Sequence, residues 1–328
     1  MTLLGRGALL CALVALLSFF VGEVAYGQNW NAVAGPKLIE ERVKIPATTM
    51  SGVSYSIAAT ILRPEGPGPF GAVVLNHGVP GTRAERLKES AELMMGAASV
   101  FARNGYVVVM PLRRGFGATG GEYAEDPGSC ANPDYRKGEE AASEDVLAAY
   151  DFARSLPYVD PWRMILAGQS AGAMVSLYAA GSNPGGLVAV LGFAAGRGGN
   201  PTIRPGVPCA IEPVAQIFEM LGRQVKAPVL LHYAENDLFF NPKTTRGWFD
   251  RFTAGGVRAE YVMQPPFGSD GHYIFSEGER IWEPSVQRFL SANGVPFNRY
   301  DPAAPTLVNG PAPATASASR RPSSATGR

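Results

Sequence analysis

The sequence predicts an α/β protein with a mostly parallel central sheet and helices on both of its faces. Short apolar runs, each long enough for a buried strand, alternate along the chain with amphipathic segments long enough for a helix. The segment Gly168-Gln169-Ser170-Ala171-Gly172 lies between one such strand and the helix that follows it. A composition of 46% hydrophobic and 17% charged residues is typical of a globular chain with a large core.

The predicted elements follow one another in a regular order. Alternating segments at 37–45 and 55–63 predict an early antiparallel pair. The buried runs predict strands at 72–76, 106–110, 163–167, 187–193, 228–234 and 259–263. Between and after them, helical patterns are found within 86–104 and at 138–156, 173–180, 212–224, 243–254 and 276–292. The connection between the strands at 187–193 and 228–234 is too short for a large cap domain.

The pentapeptide around Ser170 is typical of a turn that exposes a nucleophilic serine between a strand and a helix. Such a turn strains the backbone of the serine, and its glycines keep Cβ atoms out of a crowded approach. The N–H of Ala171 would then point to the position of an oxyanion. The alternative is a glycine-rich turn whose serine only caps the helix.

A nucleophilic serine needs a base, and the base needs an acid that orients it. Of the three histidines in the chain, His272 follows the serine in the required order and lies in a loop between the last strand and the last helix. Asp237 follows the strand at 228–234, at the edge of the sheet where catalytic groups gather, and is the predicted acid. Glu235 and Asp270 are the alternatives.

The other two histidines have different predicted roles. His77-Gly78 follows the strand at 72–76, where the second oxyanion N–H of this kind of site originates. We predict Val79 as that donor, with Gly78 as the alternative, and expect His77 to orient the loop. His232 lies inside a buried strand and is expected to be a core histidine that is hydrogen-bonded to the backbone.

With these residues, the chain resembles the α/β-hydrolase superfamily, most closely its dienelactone-hydrolase-like and serine-peptidase-like members. The resemblance implies an α/β-hydrolase fold over residues 37–293. It also implies roles for the matching residues: Ser170 as nucleophile, His272 as general base, Asp237 as its orienting acid, and Ala171 and Val79 as oxyanion donors. Dienelactone hydrolases proper use a cysteine nucleophile, so the resemblance implies acyl chemistry without specifying a dienelactone as the substrate.

Three residues are predicted to contact the substrate. Arg114 lies in a segment where relatives often carry Asp-x-Arg-Gly-x-Gly-x-Ser, and its forked guanidinium suits a carboxylate. The alternative for Arg114 is an ion pair that holds its loop. Phe239 and Tyr273 are predicted to be walls of the substrate pocket, with core packing as their alternative.

The two ends of the chain are predicted to lie outside the domain. Residues 1–27 combine a basic residue, an apolar run and small residues before a cleavage site after Gly27. This pattern is typical of a secretory signal peptide. We therefore expect an exported protein, periplasmic or secreted, with no stable membrane span after cleavage; an uncleaved anchor is the alternative. Segment 301–328 is rich in Pro, Ala, Ser and Thr and is predicted to be a disordered tail.

Export would leave two cysteines in the mature chain, Cys130 and Cys209. In an oxidising compartment an even number of cysteines favours a disulfide, and we predict one between these two residues. Two free thiols are the alternative.

The predicted function is a serine hydrolase that cleaves a carboxylic ester or lactone in a small-molecule or short peptide substrate. No metal or organic cofactor is expected, because the chain has no zinc-type ligand spacing and no phosphate loop. A formal net charge of +1 without a dominant basic cluster argues against a nucleic-acid partner. The alternatives are a peptidase or amidase of the same fold, and a binding protein without turnover.

Overall fold

A computed structural model describes residues 36–301 as an open eight-stranded sheet in the order β1-β2-β4-β3-β5-β6-β7-β8. β1 and β2 are antiparallel, as are β2 and β4, and the other neighbouring strands are parallel. The strands are β1 (Leu38–Thr48), β2 (Ser54–Pro64), β3 (Phe70–Asn76), β4 (Tyr106–Pro111), β5 (Val159–Gln169), β6 (Leu187–Phe193), β7 (Val229–Ala234) and β8 (Ala259–Gln264). The predicted α/β class with a mostly parallel sheet is confirmed.

The helices cover both faces of the sheet. They are α1 (Arg83–Arg86), α2 (Met95–Arg103), α3 (Tyr135–Ser155), α4 (Ala171–Ala180), α5 (Ile211–Gln224), α6 (Pro242–Ala254), α7 (Ile274–Glu277) and α8 (Glu279–Ala292). Residues 194–228, all of them described, hold one loop and α5 in place of a cap domain. In the part of the chain that the structure describes, no helix is both long and apolar enough to cross a bilayer.

The helix predicted within 86–104 is α2, which is preceded by α1 and by a 3₁₀ turn at Ala91–Met94. Residues 87–90 are not helical, and Glu89 packs against Gly117, where a Cβ atom would come within 2.1 Å of the carbonyl oxygen of Glu89. The last predicted helix is divided into α7 and α8 at Gly278.

The core lies on both faces of the sheet because alternate side chains of a strand point in opposite directions. In β3, Ala72 and Val74 pack into the core on the face of α3 and α4, whereas Val73 and Leu75 pack into the core on the face of α2 and α8. All residues of β3, β4 and β7 are buried, as expected for parallel strands that are covered on both sides.

The parallel strands end at a common edge, which collects the loops that follow them. The loops after β3, β5 and β7 carry His77, Ser170 and Asp237, and the loop after β8 carries His272. The predicted signal peptide at 1–27 and nearly all of the predicted tail at 301–328 lie outside the described residues.

Candidate active site

Ser170 lies in the turn between β5 and α4 with a strained backbone. Its φ of 57° and ψ of −124° lie in a region that residues with a side chain rarely adopt. The N–H of Ser170 donates to the carbonyl oxygen of Phe193 at the end of β6, at 2.8 Å. This geometry matches the turn predicted from the pentapeptide and directs the serine towards the edge of the sheet.

The glycines on either side of Ser170 are required by close backbone approaches. A Cβ atom on Gly168 would come within 2.4 Å of the carbonyl oxygen of Gly172. A Cβ atom on Gly172 would come within 2.2 Å of the carbonyl oxygen of Asn76 and 2.3 Å of that of His77. The turn therefore packs directly against the end of β3, which begins the loop with the predicted oxyanion donor.

Asp237 and His272 meet although they are far apart in the sequence. Nδ1 of His272 lies 3.0 Å from Oδ2 and 3.2 Å from Oδ1 of Asp237, and both side chains are buried. The N–H groups of Phe239 and Phe240 also donate to Oδ1 of Asp237, at 2.7 and 2.9 Å, and hold the carboxylate in place. Since an ionised carboxylate only accepts hydrogen bonds, Nδ1 of His272 carries the proton and Nε2 is left able to accept one.

The two alternative acids have other roles. Oδ1 of Asp270 accepts from the N–H groups of Leu238 and His272, each at 3.0 Å, so it joins the two loops without contacting the imidazole. Glu235 is exposed. Among the three candidates, Asp237 is therefore the one whose carboxylate contacts the imidazole of His272.

The loop of His272 is also held by its neighbours. The side-chain amide of Gln169, next to Ser170, donates to the carbonyl oxygen of His272 at 2.6 Å. The ring of Phe239 stacks on the imidazole with centroids 3.9 Å apart. These contacts tie the loop of the imidazole to the turn of Ser170.

The predicted oxyanion donors lie beside Ser170. The N–H groups of Val79 and Ala171 have no acceptor within the described residues. His77 holds the loop of Val79, as expected: the N–H of Arg113 donates to its Nε2 at 3.2 Å, so Nδ1 is the protonated nitrogen and donates to the carbonyl oxygen of Gly78 at 2.7 Å. Burial and the neighbouring Arg113 lower the pKa of His77 to about 3, so its ring is neutral.

Two cavities adjoin Ser170, and we name each after one of its charged residues. The Arg197 cavity has a volume of about 300 Å³, and the Glu89 cavity has a volume of about 520 Å³. Ser170, Val79 and Phe239 line both cavities. Residues that line one of them are Ala171, Arg86, Tyr123, Tyr135, Arg197 and Phe240 for the Arg197 cavity, and Glu85, Glu89, Met94, His272, Tyr273 and Glu277 for the Glu89 cavity.

The predicted wall residues Phe239 and Tyr273 therefore both line a cavity next to Ser170. Ser170 and His272 line the Glu89 cavity together. Within the described residues, however, the hydroxyl of Ser170 makes no hydrogen bond to His272. A separate cavity of about 900 Å³ lies between β1 and α3 and contains none of these residues.

A buried ion-pair network lies behind the Arg197 cavity. It consists of Arg113, Glu125, Arg197 and Glu139, all nearly inaccessible to solvent. Oε1 of Glu125 lies 2.6 Å from Nε of Arg113, and Oε2 of Glu125 lies 2.8 Å from Nη2 of Arg197. Oε1 of Glu139 lies 2.6 Å from Nε of Arg197. Burial opposes the ionisation of Glu125, but the two guanidinium groups outweigh it and lower its pKa to about 2. Arg113 also donates to the carbonyl oxygen of His77 at 2.9 Å, which connects the network to the loop that carries Val79.

Two other predicted residues differ from expectation. Arg114 does not line either cavity: it lies 2.7 Å from Glu144 and 2.8 Å from Asp145, so the ion pair replaces the predicted contact with substrate. Nε2 of His232 is 3.2 Å from the side-chain amide nitrogen of Gln264 in place of the expected backbone partner.

The predicted disulfide is absent from the structure, in which Cys130 and Cys209 are free thiols. Both nevertheless line the Arg197 cavity. Sγ of Cys130 is 2.7 Å from Nη2 of Arg204, and Sγ of Cys209 is 3.4 Å from the hydroxyl of Tyr135. Burial raises the pKa of the Cys209 thiol, but hydrogen bonds with Cys130, Tyr135 and Arg204 outweigh it and lower that pKa.

Sequence reasoning missed Glu89 and the ion-pair network. Glu89 belongs to no motif, and it falls in a segment with a helical pattern, where a glutamate is ordinarily a solvated residue. The partners in the network lie in separate segments, from Arg113 to Arg197, and no local spacing connects them. The available signal in the sequence was a charged residue within an otherwise apolar or glycine-rich loop, and this pattern does not distinguish a buried ion pair from a solvated side chain.

Residues 57–266 match the dienelactone hydrolase family, which is more than half of the chain. No curated protein matches it in sequence.

Solved structures resemble the fold over most of the described region. A structure from Klebsiella pneumoniae subsp. pneumoniae assigned as a dienelactone hydrolase aligns with a TM-score of 0.52 and 19% identity, covering 79% of this chain and 99% of that one. The acetyl xylan esterase of Paenibacillus sp. R4 aligns with a TM-score of 0.52 and 19% identity, covering 78% of this chain and 89% of the esterase. The Pyrococcus horikoshii acylaminoacyl peptidase aligns with a TM-score of 0.53 and 14% identity, covering 80% of this chain and 43% of the peptidase. The predicted α/β-hydrolase fold is confirmed by these neighbours.

Proposed function

Because the chain belongs to the dienelactone hydrolase family, we propose that it is a serine hydrolase that cleaves a carboxylic ester or lactone. In this proposal Ser170 is the nucleophile, His272 the general base and Asp237 the acid that orients the base. The observation that carries the proposal is the hydrogen bond from His272 to Asp237, made at the same edge of the sheet as the strained turn of Ser170.

The reaction would proceed through two acyl transfers. Nε2 of His272 takes the hydroxyl proton as Oγ of Ser170 attacks the carbonyl carbon, and then gives it to the leaving oxygen as the C–O bond breaks. A water molecule attacks the acyl-enzyme in the same way, which releases the carboxylic acid and restores Ser170. The N–H groups of Ala171 and Val79 would stabilise both oxyanions; loss of one such donor typically raises the barrier by about 2.7–4 kcal/mol.

This mechanism needs the hydroxyl of Ser170 to reach Nε2 of His272. Hydrogen bonds of this kind are often long before substrate binds and tighten in the substrate complex. The stacked ring of Phe239 and the bond to Asp237 restrict the imidazole, so the serine side chain, with its single rotatable bond, has the smaller movement to make.

A fluorophosphonate probe tests the proposed nucleophile directly. We expect the wild-type protein to be labelled on Ser170, Ser170→Ala to resist labelling, and Ser182→Ala, two residues beyond the end of α4, to label normally. Labelling that persists in Ser170→Ala would identify a different nucleophile. Hydrolysis of p-nitrophenyl esters of increasing acyl length and of simple lactones then measures which substrates are cleaved.

The amidase alternative is tested with the same protein. An acylaminoacyl peptidase is among the structural neighbours, and the same groups attack amides by the same route. Comparison of acylaminoacyl p-nitroanilides with p-nitrophenyl esters of the same acyl group separates the two activities. A higher kcat/KM for the amides would replace the esterase proposal, and absence of labelling and turnover together would favour a binding protein.

We also propose that the protein is exported. The support is the sequence of residues 1–27, which has the basic, apolar and small-residue regions of a signal peptide. Mass spectrometry of the protein recovered from the periplasm or medium is expected to find an N-terminus at Gln28. A full-length chain in the cell membrane would support the uncleaved anchor.

A further inference from the structure

The two cavities beside Ser170 differ in the catalytic groups that line them. His272 lines the Glu89 cavity but not the Arg197 cavity, and Ala171 lines the Arg197 cavity. In acyl transfer the imidazole gives its proton to the leaving group, so the leaving group lies on the imidazole side of the serine. If the proposed function is correct, the Glu89 cavity receives the leaving group and the Arg197 cavity receives the acyl group.

Carboxylates line the Glu89 cavity, and none of the described lysines or arginines does. Two of these carboxylates have ordinary explanations: Glu85 accepts from the N–H of Thr82 at 2.9 Å as part of a helix cap, and Glu277 is exposed. Glu89 has no such explanation. It is only 7% exposed, and among the described residues its carboxylate has no ion pair and no hydrogen bond to another side chain; the N–H of Ser90 is its hydrogen-bond partner.

The charge of Glu89 is not balanced by the protein. Burial raises the pKa of Glu89 to about 7, while Arg113 and the N–H of Ser90 lower it. Arg113 is beyond ion-pair distance of Glu89 and is paired with Glu125 at 2.6 Å. In the ion-pair network each guanidinium already has a carboxylate partner, Glu125 for Arg113 and both Glu125 and Glu139 for Arg197, and the nearby ring of His77 is neutral.

Aromatic rings complete this cavity. Phe239 and Tyr273 line it with their rings nearly perpendicular and 6.4 Å apart, and Tyr273 is partly exposed at the surface. The faces of aromatic rings attract organic cations, and a partly desolvated site strengthens that attraction. A buried carboxylate without a cationic partner, together with aromatic walls, suits an ammonium group better than a neutral or anionic one.

We propose that the leaving group carries a positive charge, as a protonated or quaternary amine, and that Glu89 recognises it. The inference rests on the proposed serine hydrolase function. It specifies the class of substrate as an ester or amide of an amino alcohol or diamine, with the cation near the cleaved bond. Arrival of the cation would stabilise the ionised form of Glu89, which burial otherwise opposes.

A pair of nearly isosteric esters tests the proposal. Butyrylcholine and 3,3-dimethylbutyl butyrate have the same acyl group and leaving groups of nearly the same shape, but only the first is charged. We expect kcat/KM to favour butyrylcholine by about ten- to a hundredfold, as expected for a hydrogen-bonding or charge contact that is made in a desolvated site. Glu89→Gln is expected to reduce this preference to about twofold or less and to leave the neutral ester nearly unaffected.

Glu122→Gln is the matched control, because it removes the same charge from an exposed position that lines neither cavity. It is expected to keep the preference. Equal rates for the two wild-type substrates, or a preference that survives in Glu89→Gln, would overturn the inference. An equal loss on both esters in Glu89→Gln would also overturn it, since Glu89 would then act on the fold or on catalysis. In each case, hydrolysis of the neutral ester and labelling of Ser170 would leave the proposed function intact.

Discussion

Gly172 offers a sharp test of how the nucleophilic turn is held. A Cβ atom at this position would lie 2.2 and 2.3 Å from the carbonyl oxygens of Asn76 and His77, whereas real Cβ atoms essentially never come within 3.0 Å of another heavy atom. In Gly172→Ala, the turn and the end of β3 must therefore move apart by most of an ångström. Both obstacles are backbone atoms, so no side-chain rotation can relieve the clash.

The expected cost follows from the usual price of overpacking, about 1–3 kcal/mol. Because neither carbonyl can turn away, we expect Gly172→Ala to lie in the upper half of that range. For a domain of this size, a change of 1 kcal/mol shifts the melting temperature by about 2–4 °C. Gly172→Ala is therefore expected to melt about 4–12 °C below the wild type. Its labelling by a fluorophosphonate should also slow, because the displaced segment leads to Val79, the proposed oxyanion donor.

Gly247 provides the matched control for this experiment. It lies in α6, is exposed, and has no atom within 4 Å of the position that a Cβ would occupy. Replacing it by alanine improves helix propensity by up to about 1 kcal/mol, so Gly247→Ala should melt slightly above the wild type. The reasoning is refuted if both variants are as stable as the wild type and label at the same rate.

Three further predictions concern the acid, the ion-pair network and the cysteines. Asp237→Asn should lower kcat on a p-nitrophenyl ester by about 10³–10⁴-fold with a small change in KM, whereas Asp270→Asn should retain far more activity; similar losses in both would contradict the assignment. The pKa of Glu125 is depressed to about 2, so its charged form stabilises the fold above its unfolded pKa near 4.5, and this stability is lost as the pH falls towards 2. Urea unfolding should therefore show Glu125→Gln to be less stable than the wild type at pH 7 and to lose less stability between pH 5 and 2; parallel pH profiles would refute this role. Thiol titration of the denatured protein should find Cys130 and Cys209 reactive without prior reduction, as expected from the free thiols in the structure; thiols that react only after reduction would contradict this.

The strands were predictable because their signal is local. A buried parallel strand needs apolar residues on both faces, and the strand predicted at 187–193 coincides with β6. The turn of Ser170 was also predictable, because the glycines of the pentapeptide are dictated by contacts within one strand-turn-helix unit and with β3. The predicted acid and base, Asp237 and His272, contact each other for a related reason: the loops that carry them follow strands ending at a common edge of the sheet.

Features that depend on contacts between distant segments were not predictable in the same way. The helical pattern within 86–104 gave no indication that Glu89 packs against Gly117 and is buried. The sequence left two roles open for Arg114, a substrate contact and an ion pair that holds its loop, and the outcome depended on the position of Glu144 and Asp145 on α3. These outcomes are decided by packing, for which a single sequence carries little local signal.

The electrostatic character of the site illustrates this limit. The whole chain has a formal net charge of +1, which says nothing about the sign of the field at the serine. That sign depends on which carboxylates obtain a partner: Glu125 and Glu139 are matched by arginines, and Glu89 is not. Because a charge in a partly desolvated cavity is screened less than an exposed one, the pairing of this one carboxylate affects the field at the serine more than a charge on the outer surface would. Substrate preference in this fold can therefore change through a single buried pairing while the nucleophile, base and acid stay the same.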